Sequence, residues 1–287
     1  MCNLFTRIFS GFLSFIALIC MALDIPFYAV GDEVDMSKFT LTFSDEFDAE
    51  LDRSVWSGHY TYGDSSEVRK GSYWNQYLAE TKDGNMIIPV TYLSEGMGGK
   101  GAGWYSAGID TDSDAPNGFS QRYGYFECRC ILPKGVGIWS AFWMMNDGVY
   151  QENGTGTDGT EIDIMESPYY GEFQENAVSA NLHFDGYGDA HQQWRAKKSL
   201  LKGNPYEEFN TYAVEWNENE YIFYINGKES YRTDFGGVSQ EPEYLILSVE
   251  MSGENAVPGS NVDIPDNGEG CEFIVDYVRA YQYTDKM

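Results

Sequence analysis

Short alternating runs dominate this chain, and they restrict it to β-structure. Helical periodicity is nearly absent. Apolar and polar residues instead exchange places at every second position, over stretches that end at Gly, Asn or Asp. That is the pattern of half-buried strands closed by turns. Tyr123-Gly-Tyr-Phe-Glu-Cys-Arg-Cys-Ile-Leu132, Ala180-Asn-Leu-His-Phe184 and Thr211-Tyr-Ala-Val-Glu-Trp216 are three such runs. Tyr244-Leu-Ile-Leu-Ser-Val-Glu250 and Phe273-Ile-Val-Asp-Tyr-Val-Arg-Ala-Tyr281 are two more. Asn226-Gly227, after Tyr221-Ile-Phe-Tyr-Ile225, predicts a two-residue hairpin turn. The glycine-rich stretches Gly96–Gly103 and Gly154–Gly159 read as loops. Regularly spaced short strands predict an all-β sandwich. With 287 residues and no internal repeat or linker, one large domain with its own core accounts for the chain.

Charge narrows the partners. The net charge is −27, so a nucleic-acid backbone or an anionic membrane surface is repelled, and neutral or cationic partners are favoured. The apolar run Ile8–Met21 follows Arg7 and precedes Pro26 and the small residues of Ala29-Val30-Gly31. It reads as a signal peptide. Cleavage is expected after Gly31, with Ala22 as second choice; an uncleaved anchor is the alternative. Residues 1–31 are thus assigned to the signal and 32–287 to the mature domain. The product is expected to be secreted, monomeric and free of the membrane. Beyond that segment the cysteines are Cys128, Cys130 and Cys271. An odd number implies no disulfide framework. Cys128 and Cys130 share a strand face and are expected to fill the core.

The chemistry concentrates in Gly159-Thr-Glu-Ile-Asp-Ile-Met-Glu-Ser167. Glu161 and Asp163 share one strand face, Ile162 and Ile164 the other. Strict alternation would send Glu166 into the core with the isoleucines, at high cost. A one-residue bulge at Ile164-Met165 returns it to the acidic face, and such a bulge is predicted. The two glutamate carboxyls then end roughly 5 Å apart, from about 3.3 Å of rise per strand step. That separation suits a retaining glycosidase, at about 5–5.5 Å, better than an inverting one. Like charges this close cannot all stay ionised, so one acid becomes the proton donor. Asp163, short and central, is placed to share a proton with Glu161.

The segment resembles the bulged E-x-D-x-x-E motif of glycoside hydrolase family 16, the laminarinase and lichenase clan. Other segments match in the family's order. They are Phe43-Ser-Asp-Glu-Phe-Asp48, Leu51-Asp52 with Trp56, Gly137-Ile-Trp-Ser-Ala-Phe-Trp-Met-Met145 and Val275-Asp-Tyr-Val-Arg-Ala-Tyr281. The resemblance spans roughly residues 40 to 283. It implies a concanavalin A-like β-jelly-roll sandwich of two curved antiparallel sheets with a concave substrate cleft. It further implies Glu161 as nucleophile, Asp163 as assisting acid and Glu166 as acid/base. The implied substrate is a β-1,3- or mixed β-1,3/1,4-glucan, cut internally. The chain departs from the family pattern at Ser140, where proline is common, and over Leu247-Ser-Val-Glu-Met251.

Trp139 and Trp143, four apart, face one side of a strand. By resemblance Trp139 floors the subsite at the scissile bond, while Trp143 is either a cleft or a core residue. Trp74, Trp104 and Tyr105 are further subsite candidates. Arg122 is expected to bond sugar hydroxyls or to form a surface salt bridge. By resemblance His183 contacts the leaving-group side; a structural histidine is the alternative. His59 and His191 carry no assignment. Catalysis by two carboxylates needs no cofactor, but the resemblance allows a structural calcium ion on Glu46, the Gly84 carbonyl and Asp276. Two rival readings keep the sandwich: an enzyme for agar, carrageenan or β-galactan, and a lectin-like module without catalysis. Transglycosylation is a third outcome of the same chemistry.

Overall fold

The computed structural model describes residues 27–58, 65–69, 71–112, 115–251 and 271–287. Most of the expected signal segment and His59 lie outside these residues. Among the described residues the helical segments are short 3₁₀ turns, such as Gln76–Leu78. No helix among them is long and apolar enough to cross a membrane.

Two large sheets carry the fold. The first runs in the order Phe27–Tyr28, Ser199–Leu200, Ala177–Phe184, Glu161–Ser167, Ile138–Met145, Glu243–Met251 and Ser120–Gln121. The second runs Lys228–Thr233, Tyr221–Ile225, Asn210–Trp216, Gly124–Ile131, Glu272–Tyr283, Asn85–Pro89 and Glu80–Lys82, with Phe39–Asp45 paired to Glu272–Tyr283. A smaller sheet of Ser65–Arg69, Ser72–Asn75, Gly103–Ser106 and Thr91–Leu93 stands beside them. The expected strands form, and Asn226 and Gly227, both at positive φ (50° and 74°), close the hairpin between Ile225 and Lys228.

The alternation of side chains sorts each strand into a core face and an outer face. Phe142 and Met144 of Ile138–Met145 join Ile162, Ile164 and Met165 of the acidic strand, and Leu245, Leu247 and Val249 of Glu243–Met251, in one buried cluster. The second sheet supplies Phe126, Val214, Trp216, Phe223, Phe273, Val275 and Val278 to the same cluster. Cys128 and Cys130 are buried there as free thiols, as expected. On the other face of the first sheet, Ala141, Trp143, Met145, Tyr244 and Ile246 form a second cluster, capped by Trp74 from the small sheet. The Trp74 indole donates to the Val249 carbonyl at 2.7 Å and fixes that cap. The residues left over on this outer face are the polar ones of the site.

Phe142 lies at the centre of the first sheet with no exposed surface. Its truncation to alanine should cost about 3–5 kcal/mol of stability, read as a lower urea midpoint with an unchanged slope.

Candidate active site

The acidic strand Glu161–Ser167 lies at the centre of its sheet, bonded to Ile138–Met145 on one side and Ala177–Phe184 on the other. Gly159 shapes its entry. At φ 145° and with its Cα facing Gly148, a Cβ there would stand 2.7 Å from backbone atoms of Gly148 and Val149, so only glycine fits.

The predicted bulge is present. Against Ile138–Met145, Asp163 pairs with Trp143 and Met165 with Phe142, which leaves Ile164 as the extra residue. Against Ala177–Phe184, Asp163 pairs with Asn181 and Glu166 with Ser179. Ile164 and Met165 both enter the core, and Glu166 returns to the face of Glu161 and Asp163. All three acids line one cleft of about 400 Å³.

The neighbouring strands furnish the walls in register. Trp139 pairs with Glu250, Ala141 with Ser248, and Glu161 with His183. Each of these residues lines the cleft, as do Trp74, Trp143, Tyr187 and His191. Trp143 serves both expected roles, since it packs in the outer cluster and lines the cleft, with its indole donating to Ser248 Oγ at 3.0 Å.

Each acid has its own donors. The Trp139 indole N–H donates to Glu166 Oε1 at 2.8 Å, and the Asn181 amide donates to Glu166 Oε2. The Tyr187 hydroxyl donates to Glu161 Oε2. His183 Nε2 lies 3.3 Å from Asp163 Oδ2 and 3.8 Å from Glu161 Oε1. His183 Nδ1 meets His191 Nε2 at 2.8 Å, with the two rings near-parallel.

These carboxyls are hard to ionise. Burial pushes Glu161 up to about 8, with the charge of Asp163 adding to the rise and His183 and Tyr187 opposing it. Burial raises Asp163 to about 8 as well, helped by Glu250 and opposed by Arg195. Glu166 rises to about 8 for the same first reason and then from Asp163, against His183, Trp139 and Asn181. Near neutral pH burial and mutual repulsion thus push all three carboxyls towards their protonated forms.

Several sequence expectations are corrected. Tyr105 is fully buried, stacks on Tyr73 and donates to the Gly101 carbonyl, away from the cleft lining. Its strand pairs Tyr105 with Tyr73 and Ser106 with Trp74, so Tyr105 points to the opposite face from Trp74. Arg122 donates to the Gln240 carbonyl and lies over the Tyr123 ring, also outside the lining. Trp104 likewise packs edge-on against Tyr92. The calcium set does not fit. Both Glu46 oxygens take Arg279 (2.8 and 2.7 Å) and Asp276 takes Arg129, so each carboxylate already has its cation. Asn181, Tyr187, His191, Ser248 and Glu250 are the site residues that sequence reasoning left unassigned. Asn181 shares a strand face with His183, and Ser248 with Glu250, a period-two signal that pointed to both pairs.

The model of the family described as "Beta-porphyranase A-D, GH16 domain" matches residues 38–283. The chain belongs to glycoside hydrolase family 16. Among relatives, it is 26% identical over 268 residues to the endo-1,3-1,4-beta-glycanase ExsH of Rhizobium meliloti, covering 86% of this chain but 53% of that protein. It is 27% identical to a beta-glucanase of Rhodothermus marinus, over 80% of this chain and 85% of that one. The chain thus spans about half the length of the Rhizobium glycanase. Among solved structures, the catalytic domain of a Thermotoga petrophila laminarinase aligns with a TM-score of 0.64 at 25% identity, over 89% of this chain and 100% of that one. Porphyranase B of Zobellia galactanivorans shares the fold with a TM-score of 0.69 at 22% identity, over 89% and 97%. The sandwich of this family-16 chain is therefore a β-jelly roll, as the resemblance implied.

A buried acid whose pKa is raised binds its proton in the folded state where the unfolded chain has already lost it. The stability it contributes is complete below the unfolded values, 3.8 for Asp and 4.5 for Glu, and is lost as pH climbs towards about 8. Asp163→Asn should therefore flatten the fall of melting temperature across that window. At its alkaline end the variant should be more stable than the parent by on the order of 1 kcal/mol.

Proposed function

We propose that this chain is a secreted retaining endo-glycosidase that hydrolyses β-1,3- or mixed β-1,3/1,4-glucan. The observation that supports this most directly is the return of Glu166, across a bulge, to the cleft face that also holds Glu161 and Asp163. In this reading Glu161 attacks the anomeric carbon while Glu166 protonates the departing oxygen. Glu166 then takes a proton from water, and the water releases the glycosyl-enzyme with net retention. Asp163 limits the charge on Glu161 and steers it. Trp139 and Trp143 offer indole faces to the apolar C–H surfaces of sugar rings, and His183 serves the neighbouring subsite.

Glucanase relatives favour a glucan, and so does the lining. Among its described residues it has four carboxylates, Glu161, Asp163, Glu166 and Glu250, and neither Lys nor Arg, which suits neutral sugars. The porphyranase description of the matching family model favours a second reading, the same chemistry on a β-galactan. Secretion rests on the apolar run Ile8–Met21. Phe27–Tyr28 pairs with Ser199–Leu200, so cleavage after Ala22 leaves that strand with the mature protein.

Reducing-end release from laminarin, lichenan and agarose separates these readings. Laminarin or lichenan should be cut, and release from agarose alone would move the assignment to galactan. Binding without release from any glycan would mean a lectin. Glu161→Gln and Glu166→Gln should each lower kcat about 10²–10⁴-fold, with far-ultraviolet circular dichroism unchanged. Wild-type turnover in either variant would remove its assigned role. NMR of the first-formed anomer tests retention.

A finer expectation concerns pH. The Asn181 amide favours the ionised form of Glu166, so its loss raises the Glu166 pKa further. In Asn181→Ala the alkaline limb of kcat/KM should move up by about one pH unit, whereas a merely structural defect would lower the whole profile without shifting the limb.

A further inference from the structure

Three metal-ligating atoms converge on one point of the cleft. One carboxylate oxygen each from Glu161 and Asp163 and a ring nitrogen of His183 lie within 4.8 Å of one another. The His183 Nε2 distances, 3.3 Å to Asp163 and 3.8 Å to Glu161, are close to the spacing of roughly 3.3–3.6 Å between ligands held about 2.0–2.2 Å from a tetrahedral zinc ion. Small rotations of the Glu161 side chain, 13% exposed, can close the remainder.

Two further observations point the same way. Asp163 is 4% exposed, and its Oδ2, the oxygen nearest His183, is buried and accepts no hydrogen bond. A buried carboxylate oxygen in that state favours a cation. His183 also has the outer partner that metal-binding imidazoles use. His191 Nε2 lies 2.8 Å from His183 Nδ1, with the two rings near-parallel, and is placed to accept its N–H. That bond turns His183 Nε2 towards the carboxylates and fixes the ring. The exposed Gln193 amide, 3.3 Å from the same nitrogen, is the competing neighbour.

We infer that Glu161, Asp163 and His183 form a binding site for a borderline divalent cation of the zinc type, whose occupancy blocks the cleft. Imidazole with carboxylates suits zinc or copper, whereas calcium seeks six to eight oxygens. No bond to substrate is made or broken. The binding itself rests on geometry alone; the blockade rests on the proposed role of Glu161.

Isothermal calorimetry with zinc chloride in a non-chelating buffer near neutral pH tests the site. The expected result is one ion per chain with micromolar affinity and no comparable heat from calcium chloride. His183→Ala and Asp163→Asn should each weaken binding well beyond 10-fold, and His191→Ala by about 10-fold. Absence of saturable binding, or wild-type affinity in both His183→Ala and Asp163→Asn, overturns the site. Should His183→Ala fail to fold, Asp163→Asn and the visible spectrum of the cobalt-loaded parent decide, since intense tetrahedral bands are expected and weak octahedral ones overturn the assignment. Glucan hydrolysis is followed in parallel. Binding with full activity removes the blockade and the nucleophile role of Glu161 while leaving the metal site standing, and inhibition reversed by EDTA supports both.

Discussion

The single extra residue at Ile164 is the constraint on which the site depends. In a strand the side-chain period is two, and a slip of one residue exchanges the faces of everything beyond it. Asp163 and Glu166 are three residues apart on the acidic strand but face partners only two apart, Asn181 and Ser179. The bulge absorbs the difference. It sends Ile164 and Met165, both buried, to the sandwich core, and brings Glu166 out to the cleft. In an unbulged strand Glu166 would face Phe142, Leu247 and their neighbours, where no partner could offset the burial of a carboxylate.

That arrangement has an electrostatic cost, and the architecture absorbs it. Carboxyls packed into the centre of a sheet lose hydration, and burial is the first cause of the raised pKa of each acid. The sheet beneath them is anchored by the two-sided core, so the acids cannot separate to relieve their repulsion. Donors offset part of the burden: Tyr187 on Glu161, Trp139 and Asn181 on Glu166. Glu243, at one end of the strand Glu243–Met251 in the same sheet, is wholly buried, and burial likewise pushes its carboxyl well above the usual range. Strands, not loops, fix the carboxylates, which gives the cluster its rigidity.

Features set by local periodicity were legible in the sequence. Alternation identified the strands, Asn226-Gly227 the hairpin, and the clash between a polar residue and its expected face revealed the bulge. The misses need information that periodicity does not carry. Tyr105 is aromatic, as a cleft residue is expected to be, but the register of two short strands, not residue type, decides which side it faces. Glu46 and Asp276, which the resemblance offers to calcium, lie beside Arg279 and Arg129, brought alongside by strand pairing across the second sheet, a pairing that periodicity alone does not reveal. Tyr187 and His191 sit in the connection between Ala177–Phe184 and Gln192–Arg195. Only the path of that connection, which no repeat encodes, lays them over the acids.

Glu250 shows how a departure from the family pattern acquires a physical meaning once the register is known. It occupies the stretch Leu247–Met251 that sets this chain apart, lies directly across from Trp139, and its charge helps to raise Asp163. It therefore crowds the acids electrostatically and adds a carboxylate to the cleft lining. A neutral sugar stacked on that indole can donate hydroxyl hydrogens to such an acceptor, while a sulfated or carboxylated ring would meet like charge at close range, where repulsion is little screened. On the proposed reading, then, the negative charge that adds to the effect of burial on these acids also selects against charged substrates.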